Sequence, residues 1–482
     1  MVRMGLWLAC AGLAAADQFN HKVILVGDKG AAYGGAFAGL ADDATATWYN
    51  PAGLTQLKHA KLNVSAQLVQ YQKQRIDIAD GNSIPYNSFN FSPSITSMSQ
   101  KMGRWAYGFS LATPQNDLYQ GSRDLEGSYY SEDKGDFCYS EEGGNACSAQ
   151  LNLSYSELNK STLVGPSLAF TYSDDLSVGV SVYGIYANLI EKTSYGSSRY
   201  QFVGGDSANL AKFYDNLLNR EVTQTGWGLT AELGILMRLS PDFTVGVMAT
   251  PGSYVFASRR ESQRTELFFN EGTVAEVGGD PVVSQGVLYS LEKSEKHVEI
   301  SAPSLSVGCA WTPAAWLTLT GQMDYYLASR YSYTGYSPRD NDEARSYFEY
   351  TVPQKYRYNI DKQSVVNFSG GLDFRFTDAY SLALGGFTDR SQGPYDTRPA
   401  SWNRRIDWYG VALSLGVAKT YTESRFGISA AYGDAGITHF RWGYAENGNQ
   451  PYIISEEGQV VRYRQIFNAY NLAVFLSTTL KV

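Results

Sequence analysis

The stretch Val411-Ala412-Leu413-Ser414-Leu415-Gly416-Val417-Ala418 indicates the fold class, because large apolar residues alternate in it with small ones. A period of two is typical of a β-strand whose two faces meet different surroundings. The same alternation recurs after residue 60, with the large residues at Leu176, Val178, Val180 and Val182, at Leu317, Leu319, Met323 and Tyr325, and at Leu472, Val474, Leu476 and Leu480. The strands of a soluble β-sandwich and those of a membrane β-barrel both alternate in this way. The lengths of the connections between the strands therefore have to distinguish these two folds.

The pattern predicts about fourteen strands, an even number as in bacterial outer-membrane barrels. They lie near 61–75, 88–98, 104–113, 161–173, 176–190, 223–239, 243–259, 297–311, 316–328, 362–376, 380–390, 405–419, 424–436 and 466–481. Short connections at 99–103, 173–175, 240–242, 312–315, 377–379 and 420–423 alternate with long ones near 76–87, 114–160, 191–222, 260–296, 329–361, 391–404 and 437–465. Short periplasmic turns and long outer loops are typical of an outer-membrane barrel. The prediction is therefore an all-β, transmembrane, antiparallel β-barrel.

Composition supports a membrane setting. Of the 482 residues, 18% are charged, below the ~25% of soluble domains. The 36 Tyr and 9 Trp suit a boundary that is apolar on one side and wet on the other. The net charge of -8 argues against nucleic-acid binding, which needs a basic surface.

Residues 1–16 read as a secretion signal, with Arg3 as the positive region and Ala14-Ala15-Ala16 before a cleavage site at Asp17. No other segment offers ~18 consecutive apolar residues, so a transmembrane helix is not expected in the mature chain. Export to the bacterial outer membrane is the expectation. Val482 continues the outward register of the last strand, where many barrels carry Phe or Trp, and the barrel assembly machinery is an expected partner.

Two features lie in predicted loops. Cys138 and Cys147 lie in a polar, Gly-rich stretch, and they are predicted to form a disulfide in an oxidising compartment. Leu210, Phe213, Tyr214, Leu217 and Leu218 follow a helical period, so a loop helix is predicted there. That helix either packs its own apolar side or offers an outer groove to an apolar substrate. The four histidines lack metal-ligand spacing and are interpreted as loop or surface residues.

Residues 17–60 do not alternate and are rich in Gly and Ala from Gly27 to Gly53. Small residues permit close backbone packing in a confined space, and Asn50-Pro51 is a turn signal. A compact plug inside the barrel is predicted from this composition. A flexible periplasmic extension is the alternative, but Trp48 and Tyr49 argue against it.

This segment resembles the FadL/TodX family of outer-membrane transporters for long-chain fatty acids and other hydrophobic compounds. The resemblance rests on a Gly/Ala run, then Ala41-Asp42-Asp43-Ala44, then Asn50-Pro51-Ala52-Gly53. Later segments look similar too, at 303–308 with 317–319, and at 368–375 with 380–384.

The resemblance implies a fourteen-stranded barrel (61–482) closed by an N-terminal hatch (17–60). Asp42, Asp43, Asn50, Pro51, Ala52 and Gly53 would belong to the hatch, and the segment 210–218 to an outer hydrophobic groove. A fatty acid or hydrocarbon would bind in an apolar lumen and leave sideways into the outer-membrane lipid when the hatch shifts. No cofactor is implied.

Two other functions fit a barrel. A general diffusion porin would want charged rings in its lumen, whereas the predicted inward residues are Ser, Thr, Gly, Ala and Tyr. A surface adhesin or antigen would use the long outer loops. An enzyme is not expected, because the sequence has neither a G-x-S-x-G elbow nor an H-E-x-x-H motif.

Overall fold

The computed structural model describes most of the chain, and the account below is confined to those residues. They are 19–22, 24–27, 29–77, 83–129, 147–202, 210–270, 284–293, 297–337, 354–393, 406–441 and 462–481. The predicted signal peptide lies outside them. Among the described residues, no helix is long and apolar enough to cross a membrane.

Nineteen strand segments account for nearly all of the described chain beyond residue 60. They are β1 (Lys61–Asp77), β2 (Ser83–Met102), β3 (Trp105–Tyr129), β4 (Cys147–Ser173), β5 (Leu176–Phe202), β6 (Leu210–Ser240), β7 (Phe243–Thr250), β8 (Ser253–Asn270), β9 (Ser284–Lys293), β10 (His297–Ile300), β11 (Ser304–Ala314), β12 (Leu317–Tyr326), β13 (Ser329–Ser337), β14 (Gln354–Lys362), β15 (Val365–Arg375), β16 (Tyr380–Asp389), β17 (Asp407–Ala418), β18 (Thr422–Arg441) and β19 (Arg462–Lys481).

These segments make a closed antiparallel barrel of fourteen wall strands. Short breaks divide four of the wall strands, which comprise β7–β8, β9–β10–β11, β12–β13 and β14–β15. The first and last strands close the ring, with Lys61 opposite Lys481 and Tyr71 opposite Leu472. Closure joins the two ends of the sheet, as a sheet that crosses a bilayer requires, and β13 and β14 pair with each other as a separate two-stranded sheet. The predicted fold class and strand number are confirmed.

The outward face explains the alternation in the sequence. Val411, Leu413 and Leu415 are exposed on the outside of β17, whereas Ala412 and Ser414 are buried inside. Exposed aromatic residues form a girdle near the short turns, at Trp105, Tyr172, Trp311, Trp316, Phe376, Tyr380 and Tyr421, and a second girdle further out, at Trp227, Tyr254, Phe256, Tyr325, Phe368, Tyr409, Tyr432 and Tyr470. An apolar band between two aromatic girdles is the signature of an outer-membrane barrel.

The strands on one side of the barrel run further than the alternation predicts. Residues in the expected loops 114–160, 191–222 and 260–296 extend β3, β4, β5, β6 and β8 outward. Each extension pairs with its neighbours, as between Tyr129 and Cys147. These parts are assigned to loops from the sequence, because their alternation is shorter and more often interrupted than that of the membrane segment.

The predicted loop helix at 210–218 is wrong. These residues form the outer end of β6 and pair with β5, for example Leu217 with Gly196. The apolar residues matched a helical spacing, but the backbone hydrogen bonds offered by the extended β5 favour a strand. Neighbouring positions along a strand point to opposite faces, so the single apolar face of the expected helix is not formed.

The segment before β1 is compact and lies inside the barrel. It contains the short helices α1 (Lys29–Ala32) and α2 (Ala46–Tyr49) and a 3-10 helix (Pro51–Gln56). We call residues 19–57 the N-terminal segment. Its side chains Tyr33 and Phe37 pack with wall residues such as Ala383 and Ile95 in one buried cluster.

Candidate functional site

The Asn50-Pro51 turn joins the N-terminal segment to the wall. The Nδ2 atom of Asn50 donates to the carbonyl oxygens of Ala38 at 2.9 Å and of Ile235, on β6, at 3.0 Å. Its Oδ1 atom accepts from the Ala52 N–H at 3.2 Å, which caps the 3-10 helix that Pro51 begins. The side chain is fully buried. The motif residues therefore fix both the local turn and its position against β6.

Glycines of the wall allow the N-terminal segment to approach the strands closely. A Cβ atom at Gly179 of β5 would lie 2.5 Å from the Ala52 nitrogen, and one at Gly234 of β6 would collide with the Asn50 side chain. Equivalent contacts occur at Gly108, Gly246, Gly308, Gly371 and Gly385. These glycines belong to strands all around the barrel. The lumen is therefore shaped to hold this segment in one position.

The acidic pair of the motif has two different roles. Asp42 forms an ion pair with Lys29 at 2.8 Å, and its carbonyl oxygen accepts from Lys61 of β1. Burial acts to raise the pKa of Asp42, but the ammonium groups of Lys29 and Lys61 outweigh it and hold that pKa below its usual value. Asp43 accepts from the backbone and the hydroxyl of Thr45 at 2.7 and 2.6 Å. Burial raises the pKa of Asp43, because it disfavours the charged carboxylate.

Residues 19–22, which we call the N-terminal leg, are bonded to the wall strands β12, β15 and β16. Lys22 forms a buried ion pair with Asp324 of β12 and also donates to Ser369 of β15 at 3.2 Å. The carboxylate of Asp389, at the end of β16, accepts from the backbone N–H groups of His21 and Lys22. The same Asp324 accepts from Ser306 and Gln322. The leg is thus held by a polar network that the sequence analysis did not identify.

His21 is a further part of the leg, and it lies outside helices and strands as a partly exposed residue. Its ring stacks on Tyr326 with 3.8 Å between the centroids and contacts Gln392 through Nε2 at 3.0 Å. Burial and the positive charge of Lys362 lower the pKa of His21 to about 3. The imidazole is therefore neutral at ordinary pH when the leg is seated.

A cavity of about 420 Å³ lies between the N-terminal segment and the wall. This volume falls within the range of small-molecule sites, ~300–1,000 Å³. Its apolar lining includes Ile24, Trp48, Leu163, Ile185, Met248 and Val255. Its polar lining includes Lys22, Asp324, Lys362 and Glu232. The cavity combines an apolar interior with a few charged groups, which suits amphipathic or apolar small molecules.

The wall has a local gap between β2 and β3. Asn87 pairs with Gln120 and Ile95 pairs with Ala112 in one register, but residues 88–94 have no ladder partners on 113–119. Pro93 and Pro114 lie there, and proline cannot donate to a ladder. The Nδ2 atom of Asn90 crosses the gap to the Asn116 carbonyl oxygen at 2.7 Å. Pro114 and Gln115 also line the cavity, so the cavity reaches the wall at the gap.

The predicted disulfide lies outside the described part of the chain. Cys138 is outside the described residues, and Cys147 begins β4 with its side chain outside the described part, so the disulfide stays a prediction. Cys309 on β11 is a partly buried free thiol. Gln322 and Asp324 alternate with the exposed Met323 and Tyr325 and are buried inside β12, so the alternation of this strand is the sequence signal that points to the network around Lys22.

These features define a class of protein: a closed transmembrane β-barrel whose lumen holds an N-terminal segment and an internal cavity. Solved outer-membrane channels share this fold. A Pseudomonas aeruginosa FadL homologue matches with a TM-score of 0.53 and 11% identity, over 96% of this chain and 99% of that chain. The Ralstonia pickettii toluene transporter TbuX matches with a TM-score of 0.54 and 12% identity, over 94% and 98%.

The CymD monoaromatic hydrocarbon channel matches with a TM-score of 0.50 and 12% identity, over 95% of this chain and 98% of that one. No family model matches the sequence, and no curated protein matches it either. At such identities the likeness concerns the fold, which is that of the FadL and TodX-type outer-membrane channels. CymD is named as a channel and TbuX as a transporter, and the shared fourteen-stranded fold places this barrel in the outer membrane.

Proposed function

We propose that this protein is an outer-membrane channel that takes up hydrophobic small molecules. In this proposal the molecule binds in the cavity above the N-terminal segment and leaves sideways through the gap between β2 and β3. The observation that carries the proposal is that the cavity lining includes Pro114 and Gln115, which lie at the gap. Each CH₂ removed from water contributes ~0.8 kcal/mol, so the apolar lining supplies the driving force for binding.

The N-terminal segment is the hatch in this proposal. Its motif residues Asp42, Asp43, Asn50, Pro51, Ala52 and Gly53 hold its fold and its seat on the wall. The segment fills the lumen on the side of the short turns. This supports a channel closed by a hatch rather than an open diffusion porin. Sideways release into the membrane then avoids a passage through water. The outer end of β6, with Leu210, Phe213, Tyr214, Leu217 and Leu218, is proposed as the first landing surface.

The exit is tested by tying the two strands together at the gap. Cysteines at Ser94 and Thr113, which face each other in the register of the gap, are joined with a short bifunctional thiol reagent in a background without Cys309. The matched control joins Ser97 and Ser110 of the same strands, where the ladder is intact. The transfer of a fluorescent fatty acid or aromatic hydrocarbon from the barrel to vesicles is then measured.

We expect the link at 94–113 to abolish transfer while the probe still binds, and the link at 97–110 to leave transfer unchanged. Equal transfer in both linked proteins would refute the exit. Large steady ion conductance of the unmodified barrel in a planar bilayer would refute the hatch and favour a porin. Apolar molecules that co-purify at about one per chain, identified by mass spectrometry, would name the substrate class.

A further inference from the structure

One buried carboxyl oxygen in the cavity, on Glu232, lacks a hydrogen-bond partner in the described part of the chain. Glu232 of β6 lines the cavity and is only 5% exposed. Its Oε2 atom has no hydrogen-bond partner among the described residues. A buried polar group without a partner costs free energy, and a buried charge costs more. A glutamate at this position therefore does not stabilise the barrel, and its presence needs another explanation.

The hydroxyl groups around Glu232 are used elsewhere. Ser181, its cross-strand neighbour on β5, donates to the Thr47 carbonyl oxygen at 2.7 Å. The Tyr183 hydroxyl donates to the same oxygen at 2.5 Å. Thr230, two residues along β6, donates to the Gly252 carbonyl oxygen at 3.2 Å. The nearest donors on the same wall thus serve the N-terminal segment and the β7–β8 break.

The cation of the N-terminal leg is engaged as well. Lys22 is paired with Asp324, and its remaining contact goes to Ser369. The other groups that line the cavity near β5 and β6 include the apolar side chains of Trp48, Ile185, Met248 and Val255. Glu232 therefore brings a buried oxygen without a partner to a lining that mixes these apolar side chains with polar ones such as Asn188 and Gln224.

We propose that Glu232 binds the polar end of the substrate, and that this end is a hydrogen-bond donor: a hydroxyl or an ammonium group on an apolar skeleton. This inference rests on the proposed function and names its substrate class. A donor would satisfy Oε2 while the skeleton occupies the apolar lining. A carboxylate would bring a second acceptor rather than a donor to Oε2, so a fatty acid would bind less well in this orientation.

The test compares four molecules of equal chain length: octane, octan-1-ol, octylammonium and octanoate. Binding to the detergent-folded full-length barrel is measured by calorimetry for the wild type and for Glu232→Met and Glu232→Gln. Glu221→Gln is the matched control, because Glu221 lies on the same strand but pairs with Lys192 at 3.2 Å on a half-exposed surface. Heat-modifiable migration checks that each variant folds.

A hydrogen bond to a charged group changes affinity by about tenfold or more. We expect Glu232→Met to weaken octan-1-ol and octylammonium by at least that factor and to leave octane unchanged. Glu232→Gln keeps an acceptor oxygen without the charge, so it should weaken octylammonium and retain octan-1-ol. Glu221→Gln should bind all four as the wild type does.

If Glu232→Met, or Glu232→Gln where the methionine variant does not fold, leaves the preference for donors over octane unchanged, the inference is overturned while the proposed function stands. A wild type that binds octanoate more tightly than octan-1-ol and octylammonium overturns it as well. A wild type that binds none of the four molecules overturns both.

Discussion

Asn50 and Ile235 are joined by a hydrogen bond of 3.0 Å from the side-chain amide to the carbonyl oxygen. The first residue belongs to the N-terminal segment and the second to wall strand β6. The other amide hydrogen serves the Ala38 carbonyl oxygen within the segment. A single buried side chain therefore links the fold of the segment to its seat on the barrel.

The variant Asn50→Asp should loosen this seat. It keeps the shape of the side chain but replaces two donors with oxygen beside two carbonyl oxygens, at a cost of about 2–3 kcal/mol. Amide hydrogen exchange in residues 30–57 should speed up accordingly. Heat-modifiable migration should stay normal, because the wall ladders are untouched. Unchanged protection of those amides would contradict the role given to Asn50.

Gly179 and Gly184 of β5 make a matched pair for the wall contact. An alanine at Gly179 would press its Cβ against the Ala52 nitrogen, whereas a Cβ at Gly184 would meet only the Val164 carbonyl oxygen at 3.7 Å. Gly179→Ala should displace the N-terminal segment and raise its susceptibility to added protease. Gly184→Ala should not. The idea fails if both variants are digested alike.

Asp324→Asn should release the N-terminal leg. The substitution leaves the Lys22 ammonium without its counter-charge in a buried place, and breaking a buried pair costs about 3–5 kcal/mol. A spin label at residue 20 should become mobile in this variant. The double variant Lys22→Met/Asp324→Leu removes both charges and should recover much of the immobilised signal. A label as immobile in Asp324→Asn as in the wild type would disprove this anchoring role.

The leg should also loosen in acid. Because the seated leg holds the pKa of His21 at about 3, below its ordinary 6.5, the seated state favours the neutral ring. Its stabilisation is complete above about pH 6.5 and falls as the pH drops toward 3. At pH 5 the loss is about 1–2 kcal/mol, given partial exposure. The rate of amide hydrogen exchange at residues 19–22, corrected for its intrinsic pH dependence, should rise when the pH is lowered from 7.5 to 5. In the variant His21→Gln the corrected rate should not rise.

The membrane part of the fold was predictable because lipid imposes the alternation on each strand. Val411, Leu413 and Leu415 face lipid, while Ala412 and Ser414 face the lumen, as the sequence predicts. The turn at Asn50-Pro51 was also visible as a local signal. Its bond to Ile235, 185 residues away, was not, because no periodicity records a contact between a plug and a wall.

The errors lie where lipid no longer acts on the chain. Leu210 to Leu218 carry an apolar spacing that fits a helix, but pairing with β5 decides their conformation. Strand preference depends on such neighbours more than on the residues themselves. Lys22, His21 and Glu232 acquire their roles only from the strands that surround them.

The outward extension of β3, β4, β5 and β6 determines how far the protein projects above the membrane on one side. The 31 residues of β6 amount to about 105 Å of strand at ~3.4 Å per residue, and to roughly 75 Å of height at a tilt near 45°. The apolar band of such barrels is only about 25 Å tall. On that side the extended strands therefore form a wall that rises tens of ångströms above the lipid headgroups. A solute that approaches the mouth of the barrel from that side meets the extended strands before it reaches the membrane segment of the wall.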